Sequence, residues 1–372
     1  MDILSLQPYY GGSHKYVADA LEAEGQHNWH LLTLPPRQWQ WRMRHAALTF
    51  AEALRASRLA DPVRRSEAVF CSDMLNLAEF KGLALRWAAR LPAVLYFHEN
   101  QFAYPARTKH QQQQNANFGF INMLSAAAAD EIWFNSRHNQ DSFFAGLERY
   151  IKKRPDCEPW DAFRRLQKKS RIVYPGIHPP PMLRAARQPG PLRIAWAARW
   201  EYDKGPDTFF EALKLLDNKG VDFRLRVLGE QFERCPKVFE EAAETFGNRL
   251  DAWGFEPERE QYIEWLQTSD VIVSTAIHEF FGISILEGAA AGAVPVLPAQ
   301  LSYPELFAEC EELFYDGTAA GLAAKLRQFS RKTSQDDAPE WHQLREKTAG
   351  IARSYAWDRR IEEFDRLFEG LG

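Results

Sequence analysis

The sequence predicts an α/β protein of two Rossmann-like domains whose parallel sheets face each other across a cleft. Three observations predict it. Short apolar, β-branched runs alternate with helical stretches, the mark of a parallel sheet covered by helices. That alternation halts at prolines between Pro175 and Pro181 and a stretch from Arg184 to Pro191, then restarts at Leu192. The length of 372 residues exceeds one ordinary domain and suits two.

In the first half the candidate strands are Ile3–Leu6, Trp29–Thr33, Ala68–Cys71, Ala93–Phe97, Glu131–Phe134 and Arg171–Val173. In the second they are Leu192–Ala197, Arg224–Leu228, Leu250–Trp253, Val271–Ser274, Val294–Leu297 and Leu313–Tyr315. Each reads as a strand because it is short, apolar and bounded by polar or turn residues. These spacings divide the chain into an N-terminal domain over 1–183, a linker over 184–191 and a C-terminal domain over 192–354. The closing segment 355–372 reads as an amphipathic helix able to pack on either domain.

Bulk properties exclude several classes. A net charge of −4 gives no global field toward nucleic acid or membranes, although local patches are still able to act. No apolar run reaches the roughly 18–20 residues of a membrane span, and the segment from Met1 reads as a strand, not a signal peptide. The cysteines Cys71, Cys157, Cys235 and Cys310 are scattered, with no C-x-x-C pair. They fit a reduced cytoplasmic protein and argue against structural zinc.

Polar clusters mark where chemistry is expected, because ligands of open parallel sheets bind at the carboxyl ends of strands. Gly11-Gly12-Ser13-His14 follows the first strand and precedes a helix over Lys15–Glu24, where glycines admit a ligand and free N–H groups suit a phosphate. The spacing is not that of a dinucleotide fingerprint, so no nicotinamide or flavin cofactor is indicated. His98-Glu99-Asn100-Gln101 ends the fourth strand with four hydrogen-bonding side chains, more than a helix cap requires. Arg199 and Lys204 follow the first strand of the second half, two fixed cations suited to a diphosphate and to stabilising it as it leaves.

The stretch Glu279-Phe280-Phe281-Gly282-Ile283 leads from the Val271 strand into a helix carrying Glu287. Two acceptor-only carboxylates about two helical turns apart suit a polyhydroxylated ligand such as a sugar or ribose. Ordinary surface acids would share that spacing. Two further segments suit single-stranded RNA: Pro35 to Arg44, where Trp39 and Trp41 interleave with Arg37, Arg42 and Arg44, and the span Arg149–Arg171 with nine cations against three acids. Edge packing of tryptophans and a solvated helix face are the plain alternatives.

Together, the glycine turn, the Arg199…Lys204 pair, the Glu279–Glu287 spacing and the final helix resemble the retaining GT-B glycosyltransferases. Tyr9 to Lys15, Thr33-Leu34-Pro35, Trp39-x-Trp41-Arg42, Ser72 to Leu77, Tyr96 to Gln101 and Phe134-Asn135-Ser136 look like the tRNA-queuosine α-mannosyltransferase family. The resemblance implies transfer of mannose from GDP-mannose to a cyclopentenediol hydroxyl of queuosine in tRNA, with retention and without metal or other cofactor. It implies that helix 355–372 crosses back to complete an N-terminal tRNA domain, and that 192–354 is the nucleotide-sugar donor domain. By motif it gives Gly11, Gly12, Arg199 and Lys204 to the diphosphate, and Glu279 with Phe280, Phe281, Gly282 and Ile283 to the sugar. Glu287 falls to the ribose and His98 to the transferred sugar. Ser13, His14, Trp39, Trp41, Arg42, Glu99, Asn100 and Gln101 are left to the acceptor. A different soluble glycan or metabolite acceptor, or a non-catalytic RNA-binding protein on the same fold, stays open on the residues alone.

Overall fold

The structure, a computed structural model, describes residues 1–56, 61–153, 156, 158–181, 190–231, 235–334 and 339–371. Cys157 and most of the expected linker 184–191 lie outside them. Every expected strand falls on an observed one. The first sheet has the order β2-β1-β3-β4-β5-β6, with β1 at Asp2–Gln7, β2 at Asn28–Thr33 and β3 at Ala68–Ser72. Its remaining strands are β4 at Ala93–Phe97, β5 at Glu131–Phe134 and β6 at Ser170–Ile172. The second has the order β12-β11-β10-β7-β8-β9. There β7 is Leu192–Ala197, β8 Phe223–Leu228, β9 Leu250–Gly254, β10 Val271–Val273, β11 Val294–Pro298 and β12 Phe314–Tyr315. All ten strand pairings are parallel.

Both sheets reverse their strand order once, between β1 and β3 in the first and between β7 and β10 in the second. A reversal of this kind opens a crevice at the strand carboxyl ends, so it fixes in advance where a ligand fits.

The chain forms two compact units, Met1–Gly176 with Trp357–Gly372, and Ile177–Ala356. The division falls earlier than the expected boundary at 183/184, within the prolines, because Ile177 pairs with Ala356 in an isolated parallel bridge and donates its N–H to the Tyr355 carbonyl at 2.8 Å. In the first unit, alternate strand residues supply two cores. Leu4, Val69, Leu95 and Phe134 face one layer, whereas Ile3, Phe70, Tyr96 and Trp133 face the other. The helix Trp357–Glu369 covers the second face with Trp357, Ile361, Phe364 and Phe368, all buried. Trp133 meets Phe368 and Phe364 edge to face at centroid distances of 5.0 and 5.7 Å. Each such aromatic contributes roughly 1.5–3 kcal/mol of burial, so the last helix is part of this core.

Candidate active site

In the second unit, β7 ends at Ala197 and the chain turns through Arg199 and a short 3-10 turn, Tyr202–Lys204, into helix Pro206–Asp217. Gly205 makes that turn at φ 63°, and a Cβ there would lie 2.0 Å from the Thr275 carbonyl oxygen. Only glycine lets this turn press against the chain leaving β10, which brings Lys204 to Glu279. Lys204 Nζ lies 3.1 Å from Glu279 Oε2, 3.0 Å from the His278 carbonyl oxygen and 3.5 Å from Asp203 Oδ2.

Glu279 is held at both oxygens, since Oε1 accepts the N–H groups of Phe280 and Phe281 at 3.1 and 3.4 Å. Burial alone would push Lys204 down and Glu279 up. The attraction between them, helped by Asp203 and by the backbone donors, outweighs it, so Lys204 is raised and Glu279 lowered. Both are charged at neutral pH. They line a small pocket with Ala197, Ser274, Ser284 and Tyr303, at the strand-order reversal between β7 and β10.

Gly282, at φ 98°, caps helix Ile283–Ala291, whose first N–H groups open beside this pocket. A helix N-terminus favours an anion. The Phe280 and Phe281 side chains are buried and their N–H groups bond to Glu279, so these two residues shape the turn that precedes the helix. Arg199 is half exposed and forms an ion pair with Glu201 at 2.6 Å. Glu287, buried, is held by Arg259 at 2.5 Å on Oε1 and by the Tyr262 hydroxyl at 3.2 Å on Oε2. Sequence reasoning missed those two partners, which come from helix Arg259–Gln267; no motif marks them.

In the first unit the helix after β1 begins at Gly12, a turn earlier than expected, so His14 lies in its first turn. The His14 ring, buried, packs on the His98 ring with centroids 4.0 Å apart. Burial first, and His14 second, hold His98 well below the ordinary imidazole range. Its neutral ring keeps one nitrogen able to donate or accept, and Nε2 has no hydrogen-bond partner among the described residues. Asp73, fully buried after β3, accepts the His98 N–H on Oδ1 at 2.9 Å. Burial and the nearby Glu99 raise Asp73 well above the usual carboxylate range, against the opposing backbone donors. Asp73 is the side chain of this cluster that residue-by-residue reading passed over, although it directly follows a buried strand.

The neighbouring candidates divide between surface and scaffold. Ser13 is exposed and Glu99 half-buried, the latter accepting from Gln101 Nε2 at 2.8 Å. Asn100 braces its loop: Nδ2 donates to Asn139 Oδ1 at 2.8 Å and Oδ1 accepts from the Ala103 N–H at 3.0 Å. Gln101 is likewise fully buried, its N–H bonded to Asn122 Oδ1 at 3.1 Å. Asn135 Nδ2 supports the His98 carbonyl at 2.8 Å. Trp39 packs against Phe118 and Tyr104, while Trp41 is 55% exposed and Arg42 bonds to the Pro35 carbonyl. The Gly11-Gly12 turn, the buried ion pair and the buried neutral histidine thus stand at the strand ends of two Rossmann-like units.

This fold and site define a GT-B glycosyltransferase. Solved structures share the fold at low identity. Sucrose-phosphate synthase from Thermosynechococcus elongatus is 14% identical with a TM-score of 0.72, over 100% of this chain and 99% of that one. Anabaena HepE in complex with UDP is 13% identical with a TM-score of 0.69, over 100% of both chains. Residues 2–177 match the family model for the tRNA-queuosine alpha-mannosyltransferase N-terminal region, and residues 185–348 that for glycosyl transferases group 1. A tRNA-queuosine alpha-mannosyltransferase of Drosophila melanogaster is 34% identical over 340 residues, 88% of this chain and 87% of that protein. The chain belongs to the tRNA-queuosine alpha-mannosyltransferase family.

Proposed function

We propose that this enzyme transfers mannose from GDP-mannose to a cyclopentenediol hydroxyl of queuosine at the wobble position of tRNA, with retention at the anomeric carbon. The observation that carries the reading is the buried Lys204–Glu279 pair at the strand-order reversal of the second sheet, in a chain of this family. The donor sits on the second unit. Arg199 and Lys204 hold its diphosphate, Glu279 and the backbone from Phe280 to Ile283 hold the sugar, and Glu287 holds the ribose.

As the bond from the anomeric carbon to the phosphate oxygen breaks, the acceptor oxygen bonds that carbon from the same face. The acceptor's proton passes to an oxygen of the departing phosphate. Two cations and the helix N-terminus stabilise the charge that develops, so the reaction runs without a metal ion. The acceptor belongs to the first unit, where Ser13, His14 and Glu99 stand at the strand ends beside His98, and Trp41 and Arg42 offer an exposed ring and a cation. Free thiols at Cys71, Cys235 and Cys310, with no helix among the described residues long and apolar enough to cross a membrane, support a cytoplasmic site of action.

The test mixes the protein with a panel of sugar nucleotides and queuosine-bearing tRNA, digests the RNA and weighs the nucleosides. The expected product is queuosine heavier by one hexose, with GDP-mannose alone and in the presence of EDTA. Equal transfer to tRNA lacking queuosine, or transfer from another donor only, overturns the reading.

A further inference from the structure

The loop after His98 does not stop at the site. It continues between two helices, Lys109–Ala128 and Arg137–Ile151, and there the first unit carries a groove of about 590 Å³. Phe102 makes the wedge: a Cβ on Gly119 or on Gly146 would lie 2.5 or 2.4 Å from its side chain, so both helices have glycine where the ring enters. Arg107, Lys109, Arg149 and Lys153 line the groove with Tyr104 and Tyr150, and among the described residues no carboxylate lines it.

Four cations without an acid stand out in a chain of net charge −4. Lys109, Arg149 and Lys153 are exposed and form no ion pair among the described residues. Conventional uses of surface cations on helices, such as Lys152 with Glu148 one turn away at 2.7 Å, are therefore absent here. Tyr150 is half-buried and stacks on Phe120 at 5.6 Å, fixing one ring edge at the rim. Exposed Gln112 and Gln113 add neutral donors and acceptors. Tyr104 also contacts Trp39 at 6.0 Å, and Trp39 opens the helix that displays Trp41 and Arg42. A continuous strip thus joins the groove to the exposed tryptophan.

We propose that this groove binds backbone phosphates of the acceptor RNA flanking the modified nucleoside, and so holds the tRNA whose queuosine is at His98. The proposal rests on the reading of the acceptor as tRNA. Charge, openness and spacing all suit a polyanionic strand. Lys109 lies eleven residues after His98, at most roughly 40 Å along extended chain, so one nucleic-acid arm spans both. Cations on mobile side chains and partly buried aromatic rings are the means by which proteins hold single strands and loops.

The experiment compares the full chain with a triple variant, Lys109→Ala, Arg149→Ala and Lys153→Ala. Its control, Lys214→Ala with Lys219→Ala, removes exposed charge from the other unit. Binding to queuosine-bearing tRNA is measured across a salt series, and transfer is measured as a function of tRNA concentration. The triple variant is expected to lose about tenfold or more in affinity near physiological salt. Its slope of log K against log salt should fall by roughly two to three, the share of three phosphate contacts. Its KM for tRNA should rise with kcat little changed. Equal affinity and slope in a wild type that modifies tRNA overturn the groove alone. A wild type that binds RNA through these cations but leaves queuosine unmodified overturns the queuosine reading and leaves the groove standing. A wild type that binds no RNA overturns both.

Discussion

Lys204 Nζ and Glu279 Oε2 lie 3.1 Å apart although they are 75 residues apart in the chain, and both side chains are largely withdrawn from water. The left-handed turn at Gly205 and the chain leaving β10 exist in this register to bring them together. A buried pair of this kind is costly to break from one side, because the partner's charge stays behind.

Lys204→Ala should therefore act twice. It should abolish detectable transfer, since loss of one donor to developing charge costs on the order of 10²–10³ in rate. It should also destabilise the second unit by about 3–5 kcal/mol, as Glu279 is left unpaired. Adding Glu279→Gln should recover much of that stability without recovering activity; chemical denaturation and product analysis separate the two effects.

The same pair sets a pH window. Lys204 is raised above its unfolded value, so its contribution is full below about 10.5 and is lost as pH rises through the folded value. Glu279 is lowered, so its contribution is full above about 4.5 and is lost as pH falls through the folded value. Thermal unfolding should show the charged pair's stabilisation flat between these limits, and Lys204→Met with Glu279→Gln should remove both flanks.

Asp73 has the opposite sign. Its raised value means that the native state keeps a proton the unfolded chain has released, so above about pH 4 it lowers stability as pH rises. Asp73→Asn keeps the oxygen that accepts the His98 N–H. The variant should fold, and its melting temperature should fall less with rising pH than that of the wild type. Melting curves from pH 5 to 9 decide it.

How much of this was legible beforehand follows from where the signals lie. Apolar strands bounded by polar residues show themselves in a single sequence, so β1 and β7 and the clusters at their ends were readable at once. The Lys204–Glu279 contact was not, because it depends on strand order, and order is set by which helices cover which face. Spacing alone leaves Glu287 as either a sugar or ribose ligand or a surface acid, and only the family resemblance gives it to the ribose. Its clamp, Arg259 and Tyr262, comes from a helix with no distinguishing pattern. Asn100 and Gln101 looked like ligand groups because polar residues after a strand look alike, whether they face solvent or, as here, tie a loop to neighbouring helices.

His98 gives a prediction in the pH dependence of transfer. Burial and His14 hold the imidazole well below its ordinary value of about 6.5, so it stays neutral through mildly acid pH. Activity dependent on a neutral His98 should hold as pH falls past 6.5 and drop only below it. His14→Phe removes the second cause and keeps the ring contact, so it should move the acid limb upward. The pH profile of kcat/KM for the two proteins reads this directly.

Glu287 supplies the last test. Arg259 binds one of its oxygens and Tyr262 the other, yet each carboxylate oxygen can accept more than one hydrogen bond. The carboxylate is therefore fixed in direction while still able to receive a ribose diol. Glu287→Gln keeps the size but loses the charge and one acceptor, and hydrogen bonds to charged groups are worth about 1.5–3 kcal/mol. Donor binding should weaken by roughly ten- to a hundredfold, read as a raised KM for the nucleotide sugar. Because the ribose does not change during transfer, that interaction is equal in ground and transition states, so kcat should stay near wild type. An equal fall in kcat with KM unchanged would instead place Glu287 at the reacting centre.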